Sequence, residues 1–191
     1  AIMGRSGCGK STLLSILAGL DRPDTGVVRV MGQDLAMLAG AQLHRFRAQN
    51  IGIIFQTFHL LDHLTAFENV RLPLDLERDP LADEKAHAEL ERVGLGHRRD
   101  HFADQMSRGE CQRVAIARAL VMKPKMMFAD EPTGSLDAKT GQAVIDLIFS
   151  LVEKEKMSLV MVTHDPKVGE RFQKRMDMVE FIDEKSCIAK I

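Results

Sequence analysis

The sequence predicts an α/β protein with a mostly parallel sheet. Short apolar runs alternate with helical patterns along the chain, which is typical of strands and helices that succeed one another in layers. Two runs, at 51–55 and 159–162, are apolar at consecutive positions, which predicts interior strands covered on both faces. A glycine-rich turn joins the first strand pattern to the first helical pattern, as expected where a parallel sheet holds a ligand at its edge.

The predicted elements follow in order along the chain. Strands are expected at residues 2–3, 27–30, 51–55, 126–129, 159–162, 178–182 and 187–191. Residues 57–105 lack a clear strand but carry a capping-box spacing from Thr65 to Glu68 and an amphipathic run at 83–93 closed by Gly94. The same spacing from Ser107 to Glu110 predicts a helix that starts at Ser107. We therefore expect a helical insertion within an α/β core.

Composition and charge narrow the class of protein. The 191 residues are 45% hydrophobic and 28% charged, which indicates one globular domain over residues 1–191. The 26 Lys and Arg balance 27 Asp and Glu, which argues against a dedicated nucleic-acid binder. No segment approaches the ~18–20 apolar residues of a membrane-spanning helix. Three separated cysteines, Cys8, Cys111 and Cys187, favour a reduced, cytoplasmic setting without a disulfide framework.

The chain begins at Ala1, without an initiator Met and inside an apparent strand end. We therefore expect an N-terminally truncated fragment.

The turn after the first strand fits the phosphate-binding pattern G-x-x-x-x-G-K-[ST]. Its glycines let successive backbone N–H groups wrap phosphate oxygens, and the helix start adds positive potential. Lys10 is placed to reach the outer phosphates of a nucleotide, and Ser11 to ligate Mg²⁺. Whether Cys8 is a reactive thiol or a small filler residue stays open at this point. The predicted nucleotide-binding residues here are Gly4, Arg5, Ser6, Gly7, Cys8, Gly9, Lys10, Ser11 and Thr12.

Two carboxylates end the apolar strand at 126–129. Asp130 is placed to hold Mg²⁺ through water, and Glu131 to orient or deprotonate an attacking water. An acidic strand end alone is often a solvated loop. Paired with a phosphate loop on a neighbouring strand, it favours nucleotide hydrolysis.

Six ordered motifs resemble those of ABC transporter ATP-binding subunits, and they cover residues 1 to about 165. A signature sequence between the phosphate loop and the acidic pair is diagnostic of this family among P-loop NTPases. The resemblance implies an ABC-type ATPase core at residues 1–56 and 107–191, with a helical subdomain at about 57–106. After the phosphate loop, the motifs are Gln56 (Q-loop), residues 106–113 (MSRGECQR, the signature), Asp130 with Glu131, residues 135–137 (SLD, the D-loop) and residues 163–165 (THD, the switch histidine).

The resemblance implies an ATP hydrolase that works with ATP and Mg²⁺ as a head-to-tail dimer. Each ATP would lie between the phosphate loop of one copy and the signature of the other, where a helix start meets the γ-phosphate. The cross-dimer residues would be Ser107, Gly109 and Glu110, and Asp137 would link the two sites. The implied catalytic residues are Glu131, His164 and Gln56, and the implied metal-holding residues are Ser11, Gln56 and Asp130.

Residues 58–61, 64–70 and 72–74 (FHLL, LTAFENV and LPL) are similar to lipoprotein-releasing and macrolide-exporter members of the family. Residues 113–120 and 130–137 are similar to the same members of the family. This implies transmembrane permease partners, no nucleic-acid partner, and a cytoplasmic position, peripheral on the inner face of the cell membrane. Residues 58–70 are expected to face the permease. The side chains of Phe58, Leu60, Leu61 and Leu64 would be exposed for docking, or would pack the core of the insertion itself.

Two features depart from the family pattern. Arg108 replaces the first glycine of the signature pair, and we expect activity to survive because Ser107 and Gly109 are intact. The family stacks adenine on an aromatic residue upstream of the phosphate loop, and this chain has neither Tyr nor Trp, so we expect weak nucleotide affinity. Two alternatives stay open at this point: a non-transport ABC ATPase that acts on DNA or the ribosome, and an inactive nucleotide-binding fragment.

Overall fold

A computed structural model describes residues 1–178, and a five-stranded parallel sheet forms their centre. The strand order is β4-β5-β6-β1-β7. The sheet strands are β1 (Ile2–Met3), β4 (Ile51–Ile54), β5 (Met126–Asp130), β6 (Ser158–Val162) and β7 (Met176–Asp177), and a separate antiparallel pair is formed by β2 (Arg29–Val30) and β3 (Gln33–Asp34). The helices are α1 (Lys10–Leu17), α2 (Ala41–Asn50), α3 (Ala66–Leu76), α4 (Ala82–Arg92), α5 (Arg108–Leu120), α6 (Ala138–Glu155) and α7 (Pro166–Gly169).

Alternate side chains of β5 enter two hydrophobic clusters, one on each face of the sheet. Met127 and Ala129 join the cluster that contains residues of α5 and α6. Phe128 joins the cluster that contains Leu13 and Leu14 of α1. Helices therefore cover the central strands on both sides, which explains why these strands are apolar at consecutive positions.

Both predicted capping boxes are present and fix where α3 and α5 begin. Thr65 accepts a hydrogen bond from the Glu68 backbone and Glu68 accepts one from the Thr65 backbone, and Ser107 and Glu110 repeat the arrangement at α5. Helix α4 ends before Gly94, whose φ of 75° is the left-handed conformation that glycine adopts readily. Residues of α3, α4 and α5 share one buried cluster, so the two helices of the insertion pack on α5.

The predicted interior position of the strand at 51–55 is wrong within residues 1–178, because β4 pairs with β5 alone. Its apolar character has another cause, since α5 lies against it. A Cβ atom on Gly52 would lie 2.6 Å from the carbonyl oxygen of Ala119 in α5. Sequence alone cannot distinguish burial by a helix from burial by a second neighbouring strand.

The structure contains two short strands that the sequence did not predict. The run at 27–30 forms only the two residues of β2, which turn back through Met31 and Gly32, both at positive φ, into the unpredicted strand β3. At the other end, β7 at Met176–Asp177, which the sequence did not predict, pairs with β1. Residues 179–182 and the predicted strand at 187–191 lie outside the described residues.

Candidate active site

The phosphate loop connects β1 to α1 and leaves the first turn of that helix without a side-chain cap. Gly9 precedes α1 in the left-handed conformation, with φ 88° and ψ 10°. No side chain caps the backbone N–H groups of this turn. Uncapped N–H groups at a helix start are the donors that phosphate oxygens accept from, so the local structure fits an anionic ligand.

Lys10 is buried beside this loop and makes two hydrogen bonds with it. Its Nζ donates to the carbonyl oxygens of Gly4 at 3.0 Å and Arg5 at 2.9 Å. The ammonium group also interacts electrostatically with Asp130. The arrangement therefore places a buried positive charge beside the phosphate loop, where it attracts anions.

Ser11 and Asp130 meet although they are far apart in the chain. The Ser11 hydroxyl donates to Asp130 Oδ1 at 3.1 Å. Burial raises the pKa of Asp130 above its ordinary value, because desolvation disfavours the charged carboxylate. A hydroxyl beside a partly buried carboxylate matches the oxygen donors that Mg²⁺ prefers. Residues 1–178 hold no cluster of three or more His, Cys, Asp or Glu suited to a metal, so such an ion would depend on phosphate oxygens as well.

Glu131 and His164 lie together at the carboxyl ends of β5 and β6. Glu131 Oε2 is 3.2 Å from His164 Nδ1, and the glutamate side chain is 20% exposed. Glu131 has a φ of 40°, rare for a residue with a side chain, while its N–H still bonds to the Val162 carbonyl at 3.0 Å. The backbone thus turns sharply at Glu131, while the bond to Val162 fixes the position of this turn against β6.

Gln56 lies after β4 and is exposed, and within residues 1–178 no hydrogen bond joins its side chain to Glu131. Its amide instead lies against the backbone of Gly134, where an added Cβ atom would be 2.8 Å from Gln56 Nε2. The Ser135 hydroxyl donates to the Gln56 carbonyl oxygen at 3.5 Å. The segment after Glu131 therefore separates Gln56 from the Glu131–His164 pair in this conformation.

The signature residues form a second group at the start of α5. Glu110 accepts hydrogen bonds from the Ser107 N–H and hydroxyl, both at 2.8 Å, and from Arg98 Nε at 2.9 Å. The Ser107 backbone bond, the Ser107 hydroxyl and Arg98 together lower the pKa of Glu110 to about 2. Gly109 is buried against α6, where a Cβ atom would lie 2.5 Å from Thr140 Cγ2.

Arg108 and Asp137 connect this group to the start of α6. Arg108 Nη1 donates to the Ser135 carbonyl oxygen at 3.2 Å. Asp137 caps α6 by accepting from the N–H groups of Lys139 at 3.1 Å and Thr140 at 3.0 Å, and hydrogen bonds from Thr140 contribute most to a lowered pKa. Within residues 1–178, the side-chain hydrogen bonds of Ser107, Arg108 and Glu110 reach no residue of the phosphate loop.

Sequence reasoning missed the contacts of two polar residues of α5, one fully buried and one half-buried. Gln112 is fully buried and donates to the Pro132 carbonyl oxygen at 2.7 Å. Arg118 donates to the carbonyl oxygens of Phe58 at 2.9 Å and His59 at 2.6 Å, and burial lowers its pKa. The sequence did show polar residues within the apolar run of α5. The helical pattern alone does not indicate which groups they contact.

The expected docking side chains are mostly covered. Leu61 is 38% exposed, whereas Leu60 packs against the larger cluster. The buried Asn69 holds the loop before α3 by donating to the carbonyl oxygens of Leu61, Leu64 and Thr65. Among the four predicted apolar side chains, Leu61 is the one that the structure leaves clearly exposed, and part of this set packs the insertion itself.

Known proteins match nearly the whole chain. Residues 1–134 match the family model described as ABC transporter. The lipoprotein-releasing system ATP-binding protein LolD of Shewanella oneidensis is 50% identical over 180 residues, which cover 93% of this chain and 78% of that protein. The macrolide export ATP-binding/permease protein MacB of Syntrophobacter fumaroxidans is 45% identical over 174 residues, 89% of this chain and 24% of that protein.

A solved structure shares the fold. The ATP-binding cassette MJ0796, described as a dimer in a post-hydrolysis state bound to ADP and Pi, matches with a TM-score of 0.83 and 38% identity. The match covers 92% of this chain and 78% of that one. None of the helices within residues 1–178 has the length and apolar character that a bilayer crossing requires.

Proposed function

We propose that this chain, which belongs to the ABC transporter family, uses ATP-driven closure of two copies to power a separate membrane subunit. The family membership makes it an ATP-binding and ATP-hydrolysing transporter subunit with an α/β P-loop NTPase fold. The residue roles, the form of the dimer and the transport step are the proposal.

The observation that carries the proposal is the meeting of two pairs, Ser11 with Asp130 and Glu131 with His164, at one edge of the sheet beside the phosphate loop. Residues Gly4 to Thr12 would hold the phosphates through backbone N–H groups, and Lys10 would exchange its loop carbonyls for phosphate oxygens. Glu131 would orient or deprotonate the attacking water, and His164 would hold the γ-phosphate and the water.

Ser11 and Asp130 would hold Mg²⁺, with Gln56 as a further ligand once it leaves Gly134. When bound, Mg²⁺ neutralises charge that develops on the phosphate oxygens. The exposed position of Gln56, next to the segment that follows Glu131, supports a role in sensing whether the site is filled.

A second copy would complete the site. The phosphate loop and the start of α5 are separate groups in one chain, and each has donors suited to phosphate oxygens. In a head-to-tail dimer, Ser107, Gly109 and Glu110 would face the nucleotide of the other copy, and Asp137 would link the two sites. The similarity to MJ0796, which forms a dimer in its solved structure, supports this arrangement.

The membrane partner would be a transmembrane permease that contacts the segment after Gln56, with Leu61 exposed there. Lipoprotein release or export is the transport class that fits best, because the relatives include LolD and MacB proteins at 50% and 45% identity. The subunit would then sit at the inner face of the cell membrane. A formal net charge of -1 supports a protein partner over nucleic acid.

The test is steady-state Mg-ATP hydrolysis against protein concentration for the wild type and Glu131→Gln. We expect activity that rises faster than linearly with concentration and falls by about 100-fold or more in the variant. A matched control is Glu170→Gln, an exposed carboxylate elsewhere, which should keep the wild-type rate. Equal and negligible rates in all three chains would instead support an inactive fragment, and an active Glu131→Gln chain would remove Glu131 from the proposed role.

A further inference from the structure

Gln112 is a fully buried amide on α5 that contacts two distant parts of the main chain. Its Nε2 donates to the Pro132 carbonyl oxygen at 2.7 Å and lies 3.5 Å from the Phe55 carbonyl oxygen. Pro132 is the residue directly after Glu131, and Phe55 is the residue directly before Gln56. One amide therefore joins the backbone beside both proposed site residues.

Only one half of this amide is satisfied. Gln112 Oε1 is buried and has no hydrogen-bond partner among the described residues. The reverse orientation of the amide would place that oxygen against the Pro132 and Phe55 carbonyl oxygens, so the two acceptors themselves determine which atom is the nitrogen. A buried acceptor without a partner is unfavourable, and an apolar side chain of similar length would avoid it. The hydrogen bond that Gln112 Nε2 donates to Pro132 therefore explains why an amide occupies this position.

The two segments that Gln112 joins also touch each other. The chain from Glu131 closes a tight turn, with the Gly134 N–H donating to the Glu131 carbonyl at 3.0 Å. The same turn packs on the Gln56 amide at Gly134 and bonds the Gln56 carbonyl through Ser135. The Ser135–Gln56 bond is exposed and long at 3.5 Å, whereas the Gln112–Pro132 bond is short and fully buried. The buried bond is the one that water cannot replace.

We propose that Gln112 is a positioning residue that fixes the backbone at Pro132 relative to Phe55, and through it the placement of the Glu131 carboxylate. The inference rests on the proposed role of Glu131. Glu131 has a positive φ and is followed at once by the anchored Pro132. Without the anchor, the turn at 131–134 can relax toward ordinary backbone angles, which would displace the carboxylate from the attacking water.

Two variants test this. Gln112→Met keeps the length and removes both the donor and the unpartnered oxygen. Gln112→Glu keeps the shape, and its buried carboxyl group, protonated in this site, can still donate to the Pro132 carbonyl through its O–H. For Gln112→Met we expect kcat about 10- to 100-fold below wild type with KM for ATP within about twofold, and for Gln112→Glu a kcat nearer to that of wild type. Hydrogen exchange of the protein without nucleotide, followed by mass spectrometry, should become faster in peptides covering 131–137 and stay unchanged in α1.

The matched control is Gln142→Met on α6, which removes an exposed amide that donates to Asp146 at 3.0 Å. Wild-type kcat and exchange in Gln112→Met would overturn the proposal. A general fall in thermal stability, with faster exchange throughout the chain in both Gln112 variants, would assign Gln112 to folding and would overturn it equally. Glu131→Gln is measured in parallel: if it keeps the wild-type rate, the proposed role of Glu131 fails, whereas the exchange result still reports on the anchor.

Discussion

The capping box of α5 makes stability depend on the charge of Glu110. Its carboxylate accepts three hydrogen bonds, two from Ser107 and one from Arg98, and its side chain is 14% exposed. These bonds lower the pKa of Glu110 from its ordinary value of 4.5 to about 2. Because the folded pKa lies below the unfolded value, the stabilisation is fully present above about pH 4.5. It is lost as the pH falls through about 2.

The size of the effect follows from that difference. The lowered pKa corresponds to an upper limit of about 3.4 kcal/mol in the free energy of unfolding. Arg98 is 36% exposed, so solvent screening weakens its share, and we expect about 1–2 kcal/mol. Glu110→Gln keeps an oxygen that can accept from the Ser107 N–H but removes the charge. The variant should therefore be less stable than wild type near neutral pH and nearly equal to it near pH 2.

Urea unfolding at several pH values between 7 and 2 measures this difference directly. The wild-type free energy of unfolding should exceed that of Glu110→Gln by about 1–2 kcal/mol at pH 7, and the gap should narrow below about pH 4.5 and nearly vanish near pH 2. Other carboxylates titrate in the same range, so the gap between the two proteins is the quantity of interest. Exposed Glu170→Gln serves as the control, with no gap expected. A gap for Glu110→Gln that stays constant from pH 7 to 2 would refute the assignment of the stabilisation to the charge.

Two further substitutions test contacts at the start of α5. Gly109→Ala places a Cβ atom 2.5 Å from Thr140 Cγ2, so overpacking should lower stability by about 1–3 kcal/mol in thermal unfolding, and Thr140→Ser in the same chain should restore most of it. If the double variant stays as unstable as Gly109→Ala, a contact other than the one with Thr140 causes the loss of stability. Arg108→Gly should change the ATPase rate by less than about tenfold, because the guanidinium donates to Ser135 in its own chain. A rise of tenfold or more would mean that Arg108 is inhibitory.

Motifs that depend on neighbouring residues were predictable from the sequence. The capping boxes at Thr65 and Ser107 each need partners only three residues away, and both form as predicted. The fold class was also predictable, because burial of strands under helices on both faces leaves consecutive apolar runs. The register at the strand ends was not, since the hairpin through Met31 depends on a residue type that rarely takes positive φ.

The tertiary contacts of the site had no comparable signal. Lys10 bonds to loop carbonyls, and Arg108 bonds to Ser135, 27 residues away. A polar residue in the apolar pattern of a helix indicates that a partner exists, but the pattern carries no information on which distant carbonyl it is. For Gln112 that partner is 20 residues away at Pro132. Side-chain hydrogen bonds to backbone carbonyls are the hardest case, because every residue offers the same acceptor.

Helix α5 is the element that connects these separate contacts. Its start is capped by Ser107, its second turn anchors Pro132 through Gln112, and its last turn holds the carbonyl of Phe58 through Arg118. A 13-residue helix is rigid over its length of about 20 Å, so it cannot shift at one end and stay fixed at the other. Any ligand that displaces the start of α5 must therefore either carry the segments at Pro132 and Phe58 with it or break their hydrogen bonds. Arg118 has no carboxylate partner among the described residues, so breaking its two hydrogen bonds would leave a half-buried cation unpaired. Movement of the segments at Pro132 and Phe58 together with α5 therefore costs less free energy than breaking these bonds.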